Sequence, residues 1–208
     1  MKAFIFDLDG VIVSTDRYHY LAWKQTADGE GIYFDEKIND RLRGVSRMAS
    51  LEIILERAKR QYSEEEKQAL ACKKNDLYRD LLRNLTPKDR LEGVTETLAA
   101  LREKGYLLAI GSSSKNTPFI LEKIGYGDYF DAVSDGNNIT RGKPDPEVFL
   151  KAAEMLRLSP ESCYVVEDAE AGIDAANAGG FFSVGVGPAS RYEKTKKPLA
   201  SFSLLREL

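Results

Sequence analysis

The segment Lys2-Ala3-Phe4-Ile5-Phe6-Asp7-Leu8-Asp9-Gly10 governs how the rest of the chain is read. Residues 2–6 form a short apolar, aromatic-rich run of the buried-strand type, and Asp7-Leu8-Asp9-Gly10 stops it. Two carboxylates two positions apart point to the same side in extended geometry, which few core-building reasons require. Taken alone, the pair fits an ordinary Asx pair at a strand-to-turn junction as well as it fits chemistry at a strand end. The loops further along decide between them.

From residue 15 to about residue 85 the pattern is helical, with charged residues between apolar ones at spacings of three and four. Leu51, Ile54, Leu55 and Ala58 mark one amphipathic helix; Leu70, Ala71, Leu77, Tyr78, Leu81, Leu82 and Leu85 mark a longer one, stopped by Thr86-Pro87. After Leu91-Glu92-Gly93 helices and strands alternate: helix 94–104, strand 106–110, a helix entered at Thr117-Pro118, a weak strand 130–133, and a helix 146–156 capped by Asp145. Strand 163–166, helix 169–178 and strand 181–186 complete the series, and the tail after Tyr192 reads as a surface segment with a short terminal helix. Such alternation is the signature of a parallel sheet with crossover helices. The predicted fold is therefore α/β: a doubly wound, mainly parallel, Rossmann-like sheet from residues 1–14 and 89–208, interrupted by a helical cap at residues 15–88. The insertion departs from the carboxyl end of the first strand, the edge at which open parallel sheets bind ligands, so the cap is expected to lie over the site.

The 208 residues, 43% hydrophobic and 30% charged, suffice for one substantial core and a small accessory domain. A net charge of -3 creates no global positive field, so neither nucleic acid nor an anionic membrane is an expected partner. The first apolar run is cut by Asp7, too early for a signal-peptide core or a membrane span, and a soluble protein of the cytoplasm, acting as a monomer, is expected. Cys72 and Cys163 lack metal-ligand spacing and read as reduced thiols.

Four strand-end loops carry groups suited to chemistry. A carboxylate attacks phosphorus to form an aspartyl phosphate, and a second one moves the proton of the departing or entering oxygen; Asp7 is the candidate nucleophile and Asp9 the acid/base. Gly111-Ser112-Ser113-Ser114-Lys115-Asn116 supplies hydroxyls and backbone N–H groups at a helix entrance, either as a capping loop or as a phosphate cradle with Ser112 nearest the strand. Lys143, between Gly142 and Pro144, is either a solvated turn lysine or a cation fixed to neutralise phosphoryl charge. Glu167-Asp168 ends a second buried strand in an acidic pair. With Asp7 and the backbone carbonyl of Asp9, that pair makes an all-oxygen set suited to Mg²⁺. A single His and isolated cysteines argue against zinc.

In this order, Asp7-Leu8-Asp9-Gly10, Ser112, Lys143 and Glu167-Asp168 resemble the four motifs of the haloacid dehalogenase-like superfamily of phosphotransferases, over essentially the whole chain. The resemblance implies Asp7 as nucleophile, Asp9 as general acid/base, Ser112 and Lys143 as phosphoryl holders, and Glu167 and Asp168 in the Mg²⁺ site. The cap resembles that of the superfamily's hexose-phosphate mutases at Tyr18-His19 with Trp23, at Leu42-Arg43-Gly44-Val45-Ser46-Arg47 with Ser50, and at Lys73-Lys74-Asn75-Asp76. Carried over, Arg47, Ser114, Lys115 and Asn116 hold the phosphate that is not being transferred, His19 and Lys74 help position Asp9 and the sugar, and Thr15 lies at the hinge. Ser14 and Ser113 depart from the aspartate and alanine frequent in relatives, so hinge and inner-phosphate contacts are expected to differ.

The residues alone agree at several points. Moving phosphate between C1 and C6 requires a second phosphate pocket away from the nucleophile, and Arg47 offers a planar bidentate donor for one. His19 and Trp23 share a helix face, where each serves either packing or the sugar. Lys74 interrupts the apolar seam between Leu70 and Leu77, snorkelling past it or reaching into a cleft. The implied activity is Mg²⁺-dependent interconversion of β-D-glucose 1-phosphate and D-glucose 6-phosphate through an aspartyl phosphate and β-glucose 1,6-bisphosphate. The alternatives are a sugar-phosphate phosphatase with the same motifs and an idle binding protein, though an idle relative would be expected to have lost one of the motif residues.

Overall fold

The computed structural model describes residues 1–42 and 45–208, so the Arg43-Gly44 part of the cap motif lies outside the described residues. The strands are β1 (Ala3–Phe6), β2 (Leu107–Gly111), β3 (Ala132–Ser134), β4 (Cys163–Glu167), β5 (Phe182–Gly185) and β6 (Lys197–Pro198). They form one sheet in the order β3-β2-β1-β4-β5-β6, and every strand pairing is parallel. This is the doubly wound order whose direction of winding reverses beside the first strand, opening a crevice at the carboxyl ends of β1 and β4. Phe6 registers with Ile110 on one side and Val166 on the other, so Asp7, Gly111 and Glu167 emerge at one level.

Alternation along β1 sends Phe4 and Phe6 to one face and Ala3 and Ile5 to the other, and each face has its own buried cluster. Between β1 and β2 lie α1 (Asp16–Gly29), α2 (Glu36–Asp40), α3 (Arg47–Leu55) and α4 (Glu64–Leu82); α5 (Val94–Glu103), α6 (Thr117–Lys123), α7 (Glu147–Met155) and α8 (Glu170–Ala178) cover the sheet. A third cluster, built around Trp23, Phe34, Leu51, Ile54 and Leu70, belongs wholly to the inserted helices. α4 begins in a Ser63/Glu66 capping box and serves both cores: Leu70 and Ala71 lie in the third cluster, Tyr78 and Leu82 in the first. The chain leaves for these helices and returns from them side by side, since Leu91 N–H donates to the Ile12 carbonyl at 3.0 Å and Val13 bridges Arg90.

Three expectations need correction. The helix predicted from 146 begins at Glu147, with Pro146 at the cap position, although the Asp145 carboxylate does accept from Glu147 N–H at 3.0 Å. The weak strand lies at Ala132–Ser134. The tail is more than a surface segment: β6 pairs with β5, and Phe202 and Leu205, in a 3₁₀ turn over Phe202–Glu207, are buried against the sheet's first cluster. Both cysteines are free thiols, and among the described residues no helix is long and apolar enough to cross a membrane.

Candidate active site

The strand-end groups converge. Asp7 follows β1 and donates its N–H to the Val166 carbonyl at 2.9 Å, which locks it beside the end of β4. Lys143, only 2% exposed at its side chain, donates to Asp7 Oδ1 at 2.5 Å and also to Glu167 Oε1. Glu167 Oε2 accepts from the backbone N–H groups of Asp168 and Ala169, both at 3.1 Å, so this carboxylate braces Lys143 and the turn together. Burial, the largest influence on Lys143, disfavours the ammonium, but the charges of Asp7 and Glu167 outweigh it and hold its pKa above the ordinary value. Two glycines make room: Gly10 has φ +84°, and a Cβ there would run into the Asp168 carboxylate; a Cβ at Gly172 would run into that of Glu167.

Asp7, Glu167 and Asp168 each present an oxygen within 4.8 Å of the others, the one such acidic group among the described residues. Burial first, then the charges of Glu167, Asp7 and Asp9, push Asp168 up to about 8. The Lys143 ammonium offsets part of this crowded negative charge, and the all-oxygen donor set fits a hard cation such as Mg²⁺. The Asp9 side chain is outside this group, leaving its backbone carbonyl as the donor it could add.

Asp9 is held instead by the start of the inserted helices. Its Oδ1 accepts from Thr15 N–H and its Oδ2 from Thr15 Oγ1, both at 2.6 Å, and Thr15 Oγ1 lies 2.8 Å from the Tyr78 hydroxyl on α4. Burial raises Asp9 to about 6, against the lowering effect of the two Thr15 hydrogen bonds. His19 Nε2 is 3.8 Å from Asp9 Oδ2, and Lys74 Nζ lies 2.8 Å from His19 Nδ1. Burial, then the charges of Lys74 and Arg47, keep His19 well below its ordinary value, so the ring is neutral. The two ring nitrogens thus face Lys74 and Asp9. Lys74 is itself lowered to about 7 by burial and the Arg47 charge.

A cleft of about 430 Å³ joins these groups to the serine loop and to α3. Ser112 is buried, and its Oγ accepts from Ser114 N–H at 3.3 Å; the Ser113 Oγ is buried without a partner among the described residues. Ser114 Oγ accepts from Asn116 N–H at 3.2 Å, Lys115 is exposed at the rim, and Asn116 is buried. On the opposite wall, Arg47 opens α3 after its Ser46 cap, and Ser50 is buried one turn on. Trp23 is 2% exposed within the third cluster, its ring 5.0 Å from Lys74 Nζ, so it packs the wall behind that lysine. All the residues singled out from the sequence as site candidates line this one cleft. Tyr78, which also lines the cleft, was missed because it reads as a seam residue whose hydroxyl leaves no trace in the period, and Asn75, within the Lys73-Lys74-Asn75-Asp76 segment, had no role of its own there although its oxygen accepts from Arg47 and Asn116.

The doubly wound sheet with acidic, hydroxyl and lysine groups at four strand ends defines a class, and the chain belongs to it: the haloacid dehalogenase-like hydrolase family, whose model matches residues 1–180. Within the family the chain is similar to the β-phosphoglucomutase of Bacillus subtilis (strain 168), 48% identical over 189 residues that cover 90% of this chain and 84% of that protein. The crystal structure of β-phosphoglucomutase from Clostridium difficile matches with a TM-score of 0.92 and 42% identity, covering 99% of this chain and 93% of that one. A phosphorylated carbohydrates phosphatase of Thermotoga maritima is 31% identical over 183 residues, 86% of this chain and 82% of that protein.

Proposed function

We propose that this protein is a Mg²⁺-dependent β-phosphoglucomutase that interconverts β-D-glucose 1-phosphate and D-glucose 6-phosphate through β-glucose 1,6-bisphosphate. The observation that carries this reading is a second group of phosphate donors, Arg47, Lys115 and Asn116, in the same cleft as Asp7. A phosphatase has no need of a distal pocket, whereas a mutase must hold one phosphate while the other moves. Similarity to two β-phosphoglucomutases agrees with it.

Residues 1–14 and 89–208 act as the phosphotransferase core and residues 15–88 as its cap, a division supported by the separate helical cluster and by the adjacent crossings at Ile12–Leu91 and Val13–Arg90. The core binds the transferring phosphoryl group between Asp7, Ser112 and Lys143. Asp7 attacks phosphorus and becomes the aspartyl phosphate; Asp9 protonates the departing sugar oxygen and, in the reverse direction, takes the proton of the entering hydroxyl. A carboxyl near 6 accepts and returns a proton at neutral pH with little penalty either way. Asp9 reaches the sugar by exchanging a Thr15 hydrogen bond for one to the sugar oxygen. Asp7, Glu167, Asp168 and the carbonyl of Asp9 would hold Mg²⁺, which when bound supplies positive charge against the phosphoryl oxygens. In the turnover, phospho-Asp7 gives its phosphoryl group to the free sugar hydroxyl as Asp9 takes the proton, the resulting bisphosphate turns so that the distal donors take the phosphate just formed, and Asp7 accepts the other phosphoryl group as Asp9 protonates the oxygen it leaves. Closure of the cap excludes water and protects the aspartyl phosphate.

The test follows β-glucose 1-phosphate, with Mg²⁺ and a trace of the 1,6-bisphosphate, for glucose 6-phosphate and inorganic phosphate together, with the α anomer in parallel. Isomerisation of the β anomer alone, with little free phosphate, is expected. Release of phosphate without glucose 6-phosphate would make the protein a sugar-phosphate phosphatase instead.

A further inference from the structure

The side chain of Asn75, on α4, lies between the two walls of the cleft. Its Oδ1 accepts from Arg47 Nη2 at 2.7 Å and from Asn116 Nδ2 at 3.0 Å. One donor opens α3 in the inserted helices, and the other precedes α6 at the edge of the sheet. One turn further along α4, the Arg79 guanidinium sits 5.2 Å from the Phe119 ring centroid on α6. Asn75 and Arg79 thus share one face of α4, which reaches Asn116 and Phe119 on the sheet side, and Asn75 brings Arg47 to Asn116.

We infer that Asn75 is a positioning residue of the distal phosphate pocket: its carboxamide oxygen holds the Arg47 and Asn116 donors at the point a phosphate oxygen takes, and links the two walls from which they come. Two donors aimed at one acceptor define where an incoming anionic oxygen is best received. A neutral amide oxygen is a fitting placeholder. It aligns both donors and spares them unpaired burial, yet it binds a guanidinium more weakly than phosphate does and so gives way to it. A carboxylate in its place would hold Arg47 as an ion pair and repel the phosphate.

The inference rests on the mutase reading, and two measurements separate them. In Asp7→Asn protein, which cannot form the aspartyl phosphate, binding of β-glucose 1,6-bisphosphate is measured by calorimetry with Asn75 intact and replaced. Asn75→Ala is expected to weaken binding about tenfold and Asn75→Asp further still. In the otherwise unaltered protein the same substitutions are expected to raise KM for mutase turnover by a similar factor, with a clearly smaller effect on hydrolysis of acetyl phosphate, which has no second phosphate. Bisphosphate that fails to bind with Asn75 intact overturns the mutase reading and this inference with it. Undiminished binding in Asn75→Ala, full recovery in Asn75→Asp, or equal losses on bisphosphate and acetyl phosphate overturns the inference alone.

Discussion

Lys74 buries its ammonium against an imidazole and two aromatic rings, 4.3 Å from the Tyr78 centroid and 5.0 Å from that of Trp23. Cation–π contact returns only part of the hydration lost, which is why its pKa falls to about 7. The unfolded chain holds this proton up to the ordinary lysine value and the folded protein only up to about 7, so between those values the site's contribution to stability rises with pH, and below about 7 its penalty is complete. Lys74→Met should therefore stabilise the fold at about pH 6 by about 1–4 kcal/mol, and its advantage should shrink toward about pH 9, read from urea midpoints at both values. The same change should cut mutase turnover at least about tenfold. Asp9 makes a second prediction at this scale. Asp9→Asn keeps the shape but cannot carry a proton, so turnover should fall by about 10²–10⁴, and the acidic limb near pH 6 in the profile of kcat/KM should vanish with it. Asp7→Asn should abolish turnover outright.

At the scale of elements, the strand-end chemistry was legible because strand and turn signals are local. The apolar run before Asp7 and the acidic pair after Val166 announce themselves within a few residues. The tail does not. A two-residue strand containing Pro198 and a 3₁₀ turn show neither period 2 nor period 3.6, and Pro is compatible with the edge position it occupies. Yet Leu205 is fully buried and Phe202 lies 5.7 Å, ring to ring, from Phe6, so this turn closes one face of the sheet directly behind the nucleophile's strand. Leu205→Ala should cost about 2–5 kcal/mol in urea unfolding while leaving KM for sugar phosphate in place, because the cavity opens beneath the sheet and not in the cleft. α4 was legible as a helix but not in its double role. Its apolar seam reads as one stripe, while its first half packs with the inserted helices and its second half with the sheet.

At the scale of the whole molecule, the cleft lies where the strand ends of the sheet face the helices between β1 and β2. The core side presents Asp7, Ser112, Lys143 and the acidic pair, while the helical side presents Arg47, Lys74 and the Thr15–Tyr78 clasp on Asp9. On the proposed reading Arg47→Ala removes a donor from the distal pocket, and it also takes away a charge that acts on Lys74 and His19. Mutase kcat/KM should fall by about 10²-fold or more, whereas hydrolysis of acetyl phosphate should fall far less, as measured in parallel on one preparation. The sequence by itself determined the alternation of strands and helices from β1 to β5, the helical run between β1 and β2 and the acidic, serine and lysine loops at the strand ends, since apolar periods, caps and turn residues act over a few positions. Only the tertiary structure decided which groups touch. Lys143 bridges Asp7 and Glu167 across 136 and 24 positions, and Asn75 joins Arg47 to Asn116 across 28 and 41. Those pairings depend on sheet register and on how α4 places its Asn75 between α3 and the loop before α6, which no local pattern encodes.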